Sequence, residues 1–588
     1  MPNPTPPRAP DERPASPWAA AVAAVLMVVL GVVLVLAITS PFAVIVRLIG
    51  VGAVLIGARR LLRLRRAERA SWPDGVVGGL LVVLGAGIAA WPGVTVGLLA
   101  IALGVAVIVA GATSALRAIR GVADARAAAL VSGAALVAAG VAMLAWPRFS
   151  LYVVALAFAG WLLFEGVAEL VRLVRPAVRR PAGPRGRWRR RFDLLGAVAG
   201  LVVAVLVLGG TVWIHRGDPR IVPDAFYVPP LSVPHEAGRL IRSEPMTSGV
   251  PAGDRAWRIL YTTTTGDGSP AVASGTVLAP SAASAAGKGP LPVIAQAHGT
   301  TGVTPGCAPS LMAQPWEGGV DAVPDIVKQG WVAVTSDYPG LGTAGPTAYL
   351  VGPDAAHAVL DSVLAAHELA DLDLSWSTAV WGHSQGGGAA LWSGIAAPGY
   401  APRIHVIGVA AFAPAADLYT LARGVKDTSA GRVISAYIAV SWNELYPDLD
   451  VRSQVTRGYW PIVSKIASRC FTGRDALAAI VAGSQLTRPV FTQAAFDGEL
   501  GRMLKANTPD HPIAAPVFIA QGGSDQLILP AAQKQWVDSR CAAGQHLYYK
   551  EYAGLDHVPL VSRSSPLTAD LIQWTKDRLA GMPAPQTC

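Results

Sequence analysis

The stretch Ser377-Thr-Ala-Val-Trp-Gly382-His383-Ser384-Gln385-Gly386-Gly387-Gly388 runs from a short apolar segment directly into a cluster of very small residues. Gly-x-Ser-x-Gly at 382–386 reads as a nucleophile elbow, where flanking glycines permit a strained strand-to-helix turn that lifts the serine hydroxyl above a sheet. The pattern alone is weak in a chain with 62 glycines, and its placement gives it weight. Ser377–Trp381 reads as a buried strand, and Gly388–Ile395 as the start of a helix. Similar short apolar runs bounded by turn residues are Leu291–Ala297, Trp331–Ser336, Val406–Phe412 and Pro516–Ala520. Helical stretches such as Ala355–Leu369 lie between them. Strands alternating with helices predict an α/β doubly wound sheet over about 365 residues.

An elbow serine needs a base and an orienting acid, in the chain order Ser, Asp/Glu, His. Asp525 follows the strand at Pro516–Ala520, and His557 lies in the loop Glu551-Tyr-Ala-Gly-Leu-Asp-His557, before a final helix Leu567–Leu579. Ser384 is therefore expected to be the nucleophile, His557 the general base and Asp525 its orienting acid. His546 lies in a strand-like run and reads as structural. Asp556 is too close in sequence to orient His557, and His383 reads as packing. The tetrahedral intermediate needs backbone N–H donors in place beforehand. Gln385 is expected to give one, and Thr300, in Ala297-His298-Gly299-Thr300-Thr301-Gly302, the other. Asp337-Tyr338-Pro-Gly340-Leu-Gly342 is a further strand-end loop near the site mouth. About 140 residues separate Ser384 from Asp525, and the largely helical Leu421–Phe496 within them predicts a cap lining an acyl pocket. These residues call for no metal and no cofactor.

All four cysteines, Cys307, Cys470, Cys541 and Cys588, fall in this part of the chain. An even number confined there fits disulfides made outside the cytoplasm. Three pairings are possible. The sequential one, Cys307–Cys470 with Cys541–Cys588, would tie the later segment back and pin the C-terminus, and is the one expected.

The 588 residues are 52% hydrophobic and only 15% charged, with a formal charge of +10. Residues 1–216 hold 23 Arg, no Lys and 8 acidic residues, whereas the remainder is mildly acidic. The first part carries seven apolar runs of bilayer-spanning length: Trp18–Thr39, Phe42–Ala58, Gly75–Trp91, Val94–Leu116, Ala127–Trp146, Leu151–Val171 and Leu194–Trp213. Arginines cluster in every second connection (59–69, 117–126, 172–191), which predicts a cytoplasmic N-terminus and an extracytoplasmic C-terminal part. The basic charge is thus a topology signal, and nucleic acid is not an expected partner. Arg47, Glu165 and Glu169 lie inside spans. Their depths, about 7 Å for Arg47 and about 21 Å for Glu165 at 1.5 Å per residue, do not match. Snorkelling of Arg47 and a Glu169–Arg172 pair are expected instead. Trp91-Pro92 and Trp146-Pro147 recur 55 residues apart, as do Gly85 and Gly140, Gly111 and Gly166, Arg117 and Arg172. With Ser40-Pro41 as a looser third copy, the pattern predicts three hairpins turned at proline.

Residues 18–175 resemble the HdeD-like acid-resistance membrane proteins, of the short-repeat type, in this repeat and its small-residue spacing. The resemblance implies a stress-related membrane role. Asp224-Ala-Phe-Tyr-Val-Pro-Pro, Ala297-His-Gly-Thr-Thr-Gly, Cys307-Ala-Pro-Ser310, Gly382-His-Ser-Gln-Gly386 and Gly554-Leu-Asp-His557 resemble the secretory lipase family, of the fungal lipase A type, across nearly all of 222–588. That resemblance implies an α/β-hydrolase fold with a helical lid and hydrolysis of lipid carboxyl esters, and it supports the sequential cysteine pairing.

The expected architecture is an all-α transmembrane bundle of about seven helices fused to an α/β-hydrolase fold with a helical cap. Its parts are a disordered cytoplasmic start (1–17), a six-helix membrane domain (18–175), a basic cytoplasmic loop (176–193), a seventh span (194–213), a linker (214–223) and the hydrolase domain (224–588, cap about 420–510). The expected function is a multi-pass, membrane-anchored serine esterase or lipase facing outward, with a lipid or other ester substrate and the bilayer as its partners. The alternatives are an acyltransferase using the same triad, or a non-catalytic ectodomain. No oligomeric state follows from these residues.

Overall fold

The computed structural model describes residues 17–36, 42–64, 72–90, 92–120, 126–145, individual positions between 158 and 216, and 217–588 apart from 286, 288 and 317–322. The chain forms two compact units, Met1–His215 and Arg216–Cys588.

The first unit contains helices α1 (Pro17–Leu36), α2 (Phe42–Leu64), α3 (Trp72–Ala90), α4 (Pro92–Ile119) and α5 (Arg126–Ala145). The tight pairs are α2 with α3 and α4 with α5. Glycines set both crossings. A Cβ at Gly50 would lie 2.6 Å from the Gly85 carbonyl oxygen, and one at Gly111 2.6 Å from that of Gly133. The backbones touch where no side chain intervenes. α1 instead meets the stretch near Ala159 and Leu163, at Gly31. The repeat therefore pairs helices differently from the proline-turned hairpins expected across Ser40-Pro41 and Trp91-Pro92.

A larger correction concerns the membrane. Among the described residues no helix is long and apolar enough to cross one. The expected transmembrane bundle is thereby overturned, and the multi-pass localisation that rested on it is left without support. The glycines at these crossings let helix backbones approach. Arg47 is exposed on α2. Glu165, Glu169 and most of 146–215 lie outside the described residues.

The second unit is built on a nine-stranded sheet in the order β1-β2-β3-β5-β4-β6-β7-β8-β9. The strands are β1 (Leu240–Met246), β2 (Arg255–Thr264), β3 (Pro270–Ala279), β4 (Leu291–Ala297), β5 (Val332–Ser336), β6 (Leu374–His383), β7 (His405–Phe412), β8 (Val517–Gly522) and β9 (Leu547–Tyr552). β1 to β3 are antiparallel to their neighbours, and the pairs from β5 through β9 are parallel. The parallel strands are sequestered on both faces, which is why they read as unbroken apolar runs. Period-2 alternation divides their side chains between two cores. Trp381, Phe412 and Phe518 enter the core on one face, and Val380, Val409 and Ile519 enter the other. Helices Gly352–Ala366 and Gln385–Tyr400 cover the second face, and helix Pro566–Leu579 closes on the first.

β4 lies between β5 and β6, so successive crossovers leave it in opposite directions. That reversal opens a crevice at the carboxyl ends of these strands, the place where doubly wound sheets bind ligands. Between β7 and β8 the chain forms helices Leu418–Val425, Ser429–Leu445, Trp460–Ala467, Gly473–Gln485 and Glu499–Ala506.

Disulfides join Cys307 to Cys470 and Cys541 to Cys588. The second closes a separation of 47 residues and holds the last residue to helix Pro530–Ala542. Replacing Cys541 and Cys588 together by Ser should lower unfolding stability by about 2–4 kcal/mol through the freed unfolded chain. Guanidinium denaturation under non-reducing conditions measures this, and an unchanged midpoint would contradict it.

Candidate active site

Ser384 sits between the end of β6 and helix Gln385–Tyr400 with φ 57° and ψ −119°. A non-glycine residue held there is strained, at a cost of order 1–3 kcal/mol, and persists because its surroundings fix it. Its N–H donates to the Phe412 carbonyl (2.9 Å), and its carbonyl accepts from the N–H of Ala415 (2.9 Å) and of Gly388 (3.2 Å). The glycines of the motif are sterically required. A Cβ at Gly382 would stand 2.0 Å from the Gly386 oxygen, and one at Gly386 2.0 Å from the Ala297 oxygen. The elbow is thereby pressed against the end of β4.

Asp525 lies in the turn after β8, with its side chain fully buried. Its Oδ1 accepts from the N–H groups of Leu527 and Ile528, both at 2.8 Å, and its Oδ2 stands 2.8 Å from His557 Nδ1. His557 follows β9 in a buried loop. Two flanking residues fix this pair. Asp556 Oδ1 accepts from the N–H of both Gln526 (3.0 Å) and His557 (2.8 Å), tying the Asp525 loop to the His557 loop. His383, beside Ser384, places Nε2 3.2 Å from the His557 carbonyl, with the two rings 4.5 Å apart. Burial, then the neighbouring His557, pushes the His383 pKa well below its usual value. A neutral His383 donates to that carbonyl and holds the His557 loop against the elbow. Sequence reading assigned His383 to packing and discounted Asp556. The Asp-His and His-Ser adjacencies were the available signals for these roles.

Of the two expected oxyanion donors, Gln385 opens its helix, where first-turn N–H groups have no intrahelical partner. Thr300 lies in the loop after β4, its Oγ1 2.8 Å from the Tyr349 hydroxyl. His298 braces the root of that loop. Nδ1 is 2.6 Å from the Gly299 oxygen and Nε2 3.2 Å from the Asp337 oxygen, and the Tyr338 hydroxyl donates to the His298 carbonyl (3.1 Å). Burial depresses the His298 pKa to about 4.

Asp337 is buried, and burial pushes its carboxyl up to about 6. It accepts from Ser274 Oγ (2.6 Å), from the Ser310 N–H (2.9 Å) and from Ser310 Oγ. Ser310 in turn meets the Tyr227 hydroxyl at 2.8 Å, and Asp224 caps the turn at Phe226. The segments 224–230 and 307–310 thus converge on one buried carboxyl beneath the site. Among the described residues no cluster of His, Cys, Asp and Glu could hold a metal ion.

Residues 320–587 match the family model for secretory lipases. Residues 76–138 and 131–209 each match a model for a short repeat of unknown function, and that match carries no acid-resistance role. The chain is 25% identical over 386 residues to a probable inactive lipase of Mycobacterium tuberculosis, covering 61% of this chain and 82% of that one. It is 25% identical over 406 residues to a secreted triacylglycerol lipase of Malassezia globosa, covering 63% and 84%. The closed-state structure of Candida antarctica lipase A superposes with a TM-score of 0.51 at 18% identity, over 63% of this chain and 89% of that one. The second unit accordingly has the α/β-hydrolase fold, with a secretory-lipase match over 320–587.

Proposed function

We propose that the second unit is a serine lipase or esterase that hydrolyses carboxyl esters of lipids through an acyl-enzyme on Ser384. The observation that carries this reading is the 2.8 Å contact of Asp525 with His557 Nδ1, in a loop that His383, the neighbour of the strained Ser384, contacts at 3.2 Å. With Nδ1 engaged, the His557 tautomer leaves Nε2 free as the base. Ser384 Oγ attacks the ester carbonyl while His557 takes its proton. The N–H groups of Gln385 and Thr300 hold the oxyanion, and collapse expels the alcohol with the proton returned by His557. Water, activated by the same imidazole, then releases the acid and restores Ser384. One relative is named a probable inactive lipase. This chain carries a serine, an aspartate and a histidine in the order a triad requires, which supports turnover. The two disulfides support work in an oxidising compartment outside the cytoplasm.

The full chain should hydrolyse p-nitrophenyl esters in a series from acetate to palmitate, and an organophosphate should label the peptide containing Ser384. Absence of turnover at every chain length would overturn the proposal.

A further inference from the structure

The oxyanion loop Gly299–Gly302 makes contacts that the triad does not require. Thr300 Oγ1 shares a 2.8 Å hydrogen bond with the hydroxyl of Tyr349, a fully buried side chain outside the motifs around Ser384, Asp525 and His557. The cap clamps Tyr349 in turn. Its N–H donates to Ser441 Oγ (3.1 Å), and its carbonyl accepts from Trp442 Nε1 (2.8 Å), both residues on helix Ser429–Leu445. Its ring meets Tyr437 of the same helix edge-on at 5.8 Å. The Tyr437 hydroxyl donates to the Arg469 carbonyl (3.0 Å), and the Phe471 N–H donates to the carbonyl of Thr301 (2.6 Å). Cys470, between those two residues, is bonded to Cys307. Gly302 packs so closely on this bridge that a Cβ there would lie 2.6 Å from Cys307 Sγ. The path from Thr300 through Tyr349, Tyr437 and 469–471 closes on Thr301, the next residue of the same loop.

Oxyanion donors act by being in place before charge develops. A strand-end loop is mobile by default, and a site set about an ångström too loosely loses most of its benefit. We propose that Tyr349 and the cap segment Arg469–Phe471, with its disulfide, are positioning elements for the Thr300 N–H, so that the cap is the scaffold of the oxyanion hole as well as its cover. This rests on the ester-hydrolysis reading of Ser384.

The test measures kcat and KM of the full chain on p-nitrophenyl butyrate, with competent sites counted by the burst on organophosphate titration. Removing a whole donor costs about 10²–10³ in kcat, so a donor that is present but displaced should cost about tenfold. Tyr349→Phe, which removes only the hydroxyl, should lower kcat per competent site about tenfold. KM should stay within about twofold and the pH profile should not move, since His557 and Asp525 are untouched. Thr300→Val should lose a similar factor, Thr300→Ser should recover most of it, and Tyr349→Phe with Thr300→Val should lose no more than either alone. Replacing Cys307 and Cys470 by Ser should lower kcat in the same way, whereas replacing Cys541 and Cys588 should leave it unchanged. An unaltered kcat in Tyr349→Phe, or losses that multiply in the double variant, would overturn the positioning role. Should Tyr349→Phe not fold, the Thr300→Val and Thr300→Ser pair decides, and equal loss in both overturns it. Wild-type turnover in Ser384→Ala would instead remove the underlying reading.

Discussion

Replacing Ser384 by Ala is expected to abolish ester turnover, with kcat falling about 10⁶-fold, the scale seen when a triad serine is removed. The change deletes one hydroxyl and leaves the elbow intact, because the backbone bonds from the Ser384 N–H to Phe412 and from Ala415 to the Ser384 carbonyl do not involve the side chain. Alanine inherits the φ of 57° and its strain, so stability should change by less than about 1 kcal/mol. The residual rate should be about 10³–10⁴ above water, from the oxyanion donors and substrate binding alone. Steady-state hydrolysis of p-nitrophenyl butyrate beside a thermal melt separates these quantities. A variant that keeps more than a hundredth of wild-type kcat would place the nucleophile elsewhere.

Replacing Asp525 by Asn is expected to cost about 10⁴ in kcat with little loss of fold. Asn is the same size, and its oxygen can still accept the N–H groups of Leu527 and Ile528 that Oδ1 accepts now, each at 2.8 Å. That arrangement turns its amide nitrogen toward His557 Nδ1, where a carboxylate oxygen stands at 2.8 Å. An N–H facing Nδ1 makes that nitrogen an acceptor, so the ring proton moves to Nε2. The base is then protonated on the atom that must take the serine proton. Nor does any carboxylate remain to stabilise the imidazolium. Asp556 is held in another role, its Oδ1 accepting the Gln526 and His557 N–H groups. Single-turnover acylation reads the effect directly, and a loss below tenfold would show that Asp525 does not orient the base.

How much of this was legible in the sequence depended on where each interaction partner lies along the chain. Leu291–Ala297 is a strand in the structure over the very residues its apolar run marks, since a parallel strand covered on both faces announces itself by composition. β1 and β2 do not, because Arg242, Glu244, Arg255 and Arg258 interrupt them. Their strand character comes from pairing with each other and with β3. The elbow is local, confined to 382–388, and its glycines name it. Chain order pointed to Asp525 and His557, which the fold brings within 2.8 Å of each other. The bracing of the loop after β4 was not legible. Tyr349, Tyr437 and Arg469 are spread over 120 residues of sequence, and only folding brings them to Thr300 and Thr301. In the first unit the repeat was visible as spacing, but which helices pair closely, α2 with α3 and α4 with α5, was not.

The glycine crossings of that first unit bear on how its sequence can change through time. At the crossing of α2 and α3, a Cβ at Gly50 would lie 2.6 Å from the Gly85 oxygen and one at Gly85 2.7 Å from the Gly50 oxygen. A methyl group at either position forces the helices apart, and once they are apart the second glycine no longer protects anything. Losses at the two positions should therefore be sub-additive, the second costing less than it would alone. The same coupling should hold for Gly111 and Gly133 between α4 and α5, independently of the first pair.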